Sequence, residues 1–166
     1  MFELTTIDIF IRLALAAVLG MTLGMERSIA GKSAGMRTFA LVSLSSAVFV
    51  TMGMIIDNAY IGRVNFDPVR TMAAVVVGIG FIGAGAIMFK SNILRGLTTA
   101  AGLWIAAGVG AASAFGFYSI AVFATLLTIL IFTGVWFIEK KLKAIKTNNE
   151  PTVVDKLTTQ EEEIDE

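Results

Sequence analysis

Five long runs of apolar residues alternate with short polar links along this chain. The first extends from about Ile9 to Met25, interrupted only by Arg12, and the second from about Thr38 to Ile56. The third covers about Thr71 to Phe89 and the fourth about Leu97 to Phe115; after Gly116 and Phe117 the fifth continues to about Ile138. Each is too long and too uniformly apolar for a soluble core helix, and each can cross a hydrocarbon core of about 30 Å. The links carry the turn residues: Glu26 to Arg37 is polar and glycine-containing, and Asp57, Asn58, Gly62 and the Asp67-Pro68 pair precede the third run. The pattern predicts an all-α integral membrane protein of five transmembrane helices, two hairpins followed by a fifth helix. Residues 1–138 form its membrane domain, and 139–166 a charged, partly disordered tail.

The third run contains Gly78, Gly80, Gly83 and Gly85, which would weaken a helix in water. In a bilayer the backbone has no other hydrogen-bond partner, so the helix holds, and residues without side chains let a neighbouring helix approach. These glycines therefore read as a helix-packing face, with Gly20 and Gly24 forming a GxxxG on the first helix, or as the lining of a narrow path for a small solute. Gly78 to Gly83 also matches the GxGxxG dinucleotide fingerprint, but that motif needs a preceding strand and a helix opening at the glycines. A nucleotide site is rejected.

Composition removes several functions. With 56% hydrophobic and 16% charged residues the chain is too apolar for a soluble domain, and a net charge of zero gives no reason to expect nucleic acid. It has no Cys and no His, which excludes disulfides, thiol chemistry and the commonest transition-metal ligands. The N-terminus lacks the basic start and cleavage site of a signal peptide and reads as the first span. Arg27, Lys32, Arg37, Lys90, Arg95 and the lysines of the tail fall on one side of the membrane, whereas the other side has Arg12, Arg63 and Arg70 beside Glu3, Asp8, Asp57 and Asp67. The positive-inside rule puts the N-terminus outside and the C-terminus in the cytoplasm. A shift of 58 positions aligns Arg12 with Arg70, Gly20 with Gly78 and Arg37 with Arg95, so the two hairpins read as a parallel repeat.

Candidate chemistry lies at the ends of the spans. Arg37, Arg70 and Arg95 sit where helices begin, and a cation there opposes the macrodipole, so something must stabilise it. Lipid phosphate suits the inner pair. For Arg12 and Arg70 the expected partners are Asp8 and Asp67 or an inter-helix salt bridge, and Glu26 with Arg27 and Arg37 forms the corresponding inner cluster. Asp67 and Glu26, with Asp57 as a third acid on the outer side, are the acids that could hold a divalent cation such as magnesium, which needs only one or two carboxylates. Asn58, Asn92, Thr98 and Thr99 are possible helpers. No acid falls at mid-membrane depth, which counts against an ion-coupled pump, and no nucleophile and base pair is visible, so an enzyme is not expected.

Three stretches carry a family resemblance: LGMTLGMERSIAGKSAGMRTFALV (19–42), DPVRTMAAVVVGIGFIGAGAIM (67–88) and LRGLTTAAGLWIAAGVGAASAFGFY (94–118). Together they resemble the bacterial MgtC/SapB family of inner-membrane proteins. Residue by residue, the resemblance marks Arg12, Glu26, Arg27, the Gly35-Met36-Arg37-Thr38 turn, Asp67, Arg70, the glycines of the third run, and Arg95-Gly96-Leu97-Thr98-Thr99 with Trp104. It implies a bacterial plasma-membrane protein of low-magnesium adaptation, linked in the best-known members to virulence and to the proton-driven ATP synthase. Many such members carry a folded cytoplasmic domain after the fifth span, where this chain shows a short acidic-ended tail. The expected protein is a homodimer in the lipid bilayer that acts in magnesium homeostasis by regulating another membrane protein. The alternative is a transporter or channel for magnesium or another small ion.

Overall fold

The structure is a computed structural model that describes residues 5–60, 67–90 and 93–135. Its helices are α1 (Thr6–Ile29), α2 (Met36–Ala59), α3 (Pro68–Gly85), α4 (Leu97–Ala114) and α5 (Tyr118–Leu130), the last continuing as a π-helical turn, Ile131–Val135. Counting that turn with α5, five stretches are long and apolar enough to cross a membrane. The chain is an all-α membrane protein. Residues up to Ile129 form one compact unit, and of the second, which begins at Leu130, only 130–135 are described. The end of the fifth expected span, the charged tail and Asn92 lie outside the described residues.

Caps place the helix starts. Thr5 Oγ1 accepts the Asp8 amide at 3.2 Å while an Asp8 carboxylate oxygen accepts the Thr5 amide at 3.1 Å, a reciprocal capping box. Pro68 occupies the first turn of α3 and Asp67 caps it, accepting from the amides of Val69 at 2.9 Å and Arg70 at 3.1 Å. Gly35 offers α2 no side-chain cap; Ser28 Oγ supplies one from α1 by accepting the Met36 amide at 3.0 Å.

Two boundaries differ from the sequence reading. The first link is shorter than Glu26 to Arg37, because α1 continues through Glu26 and Arg27 to Ile29. Its last turn is polar yet packed: Arg27 is buried, and Ser28 ties the turn to α2. The third helix stops at Gly85 rather than near Phe89, and the chain turns into a two-stranded antiparallel hairpin, β1 (Met88–Lys90) with β2 (Ile93–Arg95). Gly96, at φ 94°, brings the hairpin back onto the end of α3, where a Cβ would run into the Ala86 carbonyl oxygen. That closure depends on a contact across the hairpin, which the apolar pattern of the run does not contain.

The core is the three-helix packing of α1, α2 and α4. Its centre is small: Ala16, Ala47, Val50, Ala111 and Ala114, with Leu13, Met54 and Phe115 against them. Apolar burial gives little drive between helices in lipid, so close backbone approach and hydrogen bonds hold them together. A Cβ on Gly20 would lie 2.6 Å from Ser43 Cβ, one on Gly24 2.6 Å from Met36 Cα, and one on Gly110 would strike the Ser43 carbonyl. Ser43 Oγ donates to the Ala16 carbonyl at 2.7 Å, joining α2 to α1 at the same level. By contrast, α3 buries only Ile79 and Gly83.

Adding 58 to the bounds of α1 and α2 gives 64–87 and 94–117, which enclose α3 and α4. The aligned residues differ in setting, however. Gly20 is closed over by Ser43 and Phe39, whereas a Cβ on Gly78 meets nothing within 4 Å.

Candidate functional site: two polar ends and a groove

Because consecutive spans run antiparallel, the candidate residues divide between two ends of the bundle. One end has the close of α1 and the starts of α2 and α4, with Glu26, Arg27, Arg37, Arg95, Thr98 and Thr99. The other has the starts of α1 and α3 and the close of α4, with Arg12, Asp67 and Arg70.

At the second end Arg12 does not turn to Asp8, whose carboxylate is engaged by Thr5. Its Nη1 donates instead to the Ala114 carbonyl at 2.6 Å. The reason is the way α4 ends: Gly116, at φ 82°, lets the Phe117 amide reach the Ala112 carbonyl at 2.9 Å and the Gly116 amide the Ser113 carbonyl at 3.1 Å. The Ala114 carbonyl then points to Arg12, and a cation there complements the negative end of the helix. Asp67 and Arg70 do pair, at 3.9 Å, but Arg70 is 88% exposed, so the pair is a surface contact beside the α3 cap.

At the first end Glu26 and Arg27 form an ion pair through Oε2 and Nε, with Arg27 almost fully buried. Arg37 does not join them: it is exposed, and among the described residues it forms no ion pair. Arg95 is exposed on β2, one residue before the Gly96 cap of α4. Thr98 is exposed while Thr99 is buried. Of the glycines of α3, Gly83 is in ordinary contact with Ala100 Cβ at 3.8 Å, and Gly78, Gly80 and Gly85 face open space.

Arg37 opens onto a feature that the sequence reading did not contain. Between α2 and α3, with Ala107 of α4 on its floor, lies a groove of about 730 Å³. Leu41, Phe49, Val75 and Ile82 give it apolar walls, Thr38, Ser45, Ser46 and Thr71 add hydroxyls, and Arg37 is its charged residue. Ser46 Oγ is buried without a hydrogen-bond partner among the described residues. The serines of the otherwise apolar α2 are the sequence signal that was missed: Ser45 and Ser46 line the groove, while Ser43 turns to α1. Among the described residues no cluster of three or more acidic side chains is arranged to hold a metal ion. The two carboxylates read as candidate ligands are both engaged, Asp67 by the α3 amides and Glu26 by Arg27.

Comparison with known proteins places this architecture. The putative magnesium transporter YhiD of Escherichia coli K12 is 39% identical over 128 residues, covering 76% of this chain and 60% of that protein. SapB of Bacillus subtilis is 43% identical over 129 residues, covering 75% and 54%. MgtC of Salmonella typhimurium LT2 is 39% identical over 117 residues, covering 70% and 48%. The chain thus matches about half to three-fifths of the length of these relatives. No solved structure matches it. The MgtC family model matches residues 13–141, nearly all of the membrane-spanning part, and this chain belongs to the MgtC family.

Proposed function

We propose that this protein acts in magnesium homeostasis by regulating another membrane protein of the bacterial inner membrane, not by catalysis and not by carrying magnesium itself. The engagement of both candidate carboxylates carries this reading. Glu26 is neutralised by a buried arginine and Asp67 caps a helix, so a passing divalent cation would have to displace fixed donors at either end. The magnesium context comes from the family and from the name of the E. coli relative. An ATP synthase of the same membrane is one candidate partner. The chain works as a homodimer, for which the open Gly80 of α3 offers a point of close approach. The cationic end, with Lys32, Arg37 and Arg95, faces the cytoplasm and the N-terminus faces outside.

The test is magnesium influx into liposomes holding the purified protein and an entrapped indicator, beside empty vesicles and the Asp67→Asn variant. Folded, inserted protein is expected to give no flux above empty vesicles. Protein-dependent influx that falls in Asp67→Asn overturns regulation in favour of transport.

A further inference from the structure

The groove between α2 and α3 has a shape and a charge that the regulatory reading does not use. Arg37 stands in the first turn of α2, at the end of a span, where headgroups lie. From Arg37 to Phe49 along α2 the groove rises about 18 Å at the helical rise of about 1.5 Å per residue. One leaflet of hydrocarbon is half of about 30 Å deep. The groove therefore extends from headgroup level to about the middle of the bilayer. Among the described residues its only charged lining residue is a cation, and its walls are mainly aliphatic and aromatic. An apolar trough of one-leaflet depth with a guanidinium at its mouth complements an amphiphile with a negative head and a hydrocarbon tail.

We propose that this groove binds one anionic phospholipid, with an acyl chain lying between α2 and α3 and the phosphate at Arg37. The charge selects against a divalent cation as occupant, because Arg37 repels it and no carboxylate among the described residues lines the groove. Gly78 keeps the trough open: a side chain there would enter the groove rather than strike the protein, since its Cβ meets nothing within 4 Å. Its equivalent in the first hairpin, Gly20, is already covered by α2. The two halves thus use the same small residue differently, one for packing a helix and the other for admitting a lipid.

The experiment is native mass spectrometry of the whole chain, purified in detergent and titrated with palmitoyl-oleoyl phosphatidylglycerol or with phosphatidylcholine of the same chains. A single interfacial arginine predicts about a fivefold preference for the anionic lipid. Arg37→Gln is expected to abolish the preference and Arg37→Lys to restore it. Gly78→Leu, with Arg37 intact, is expected to lower retention of both lipids while leaving helix content and the melting midpoint unchanged. Equal retention of the two lipids by the unaltered protein overturns the proposal, as does a preference that survives Arg37→Gln. Competition by inorganic phosphate as effective as that by the lipid would mean a free-anion site. Should Gly78→Leu change the oligomeric state and leave lipid retention untouched, the groove is a contact between copies. Each of those results sinks the lipid assignment, and none depends on magnesium flux.

Discussion

At the scale of single residues, glycines of similar sequence context do opposite things. Gly108 and Gly110 stand two positions apart in α4, yet a Cβ on Gly108 meets nothing within 4 Å and one on Gly110 collides with the Ser43 backbone. Two positions are more than half a turn, so they face different ways. Gly110→Ala is expected to destabilise the purified protein in detergent by about 1–3 kcal/mol, since α2 and α4 must move apart. Gly78→Ala is expected to fall within about 0.5 kcal/mol of the unaltered protein. Thermal or denaturant unfolding of the two variants side by side checks both. The sequence identified Gly20, Gly24 and the α3 glycines as small residues in a membrane, but not which of them meet a helix. Arg12 is similar. A partner was expected for it, Asp8 or an inter-helix salt bridge, but the partner is a carbonyl on α4, placed there by tertiary packing.

At the scale of elements, α3 is held mainly by its own ends. Few of its residues are buried, so the Asp67 cap matters more here than on a well-packed helix. Asparagine caps about as well as aspartate, and alanine does not. Asp67→Asn is therefore expected to keep α3 intact, while Asp67→Ala loses about 1 kcal/mol of local stability. Hydrogen exchange of the α3 amides reads the difference as roughly fivefold faster opening, with α1, α2 and α4 unaffected. This also validates Asp67→Asn as the variant for the flux measurement, because the cap survives while the negative charge is lost. The helices themselves were readable from their apolar runs, and Asp67-Pro68 from its turn chemistry. The β1-β2 hairpin was not, because Met88, Phe89, Ile93 and Leu94 continue the apolar pattern of the spans while pairing as strands.

For the whole molecule, orientation rests on where cations accumulate. The chain contains no cysteine, so a single introduced thiol can be read without interference. Lys32→Cys lies in the exposed turn between α1 and α2, and Asn58→Cys in the exposed last turn of α2. In intact cells an impermeant maleimide is expected to label Asn58→Cys at once, and Lys32→Cys only after the membrane is opened. The reverse pattern would invert the proposed topology and move Arg37, with its groove, to the outer leaflet.

What the sequence determined by itself is the class of molecule, because bilayer thickness and the absence of backbone partners in lipid make long apolar runs into helices whatever surrounds them. The polar residues at the span ends and the family motifs were legible for the same reason: they are local in the chain. Tertiary structure decided the pairings. It set Arg12 on the end of α4, engaged Glu26 with Arg27, left Arg37 outside that pair, and opened the groove beside Gly78. Each of these depends on how one helix is turned about its axis relative to another. In an apolar helix whose hydropathy is nearly uniform around its circumference, that rotation leaves little trace in the sequence and is set by close packing alone.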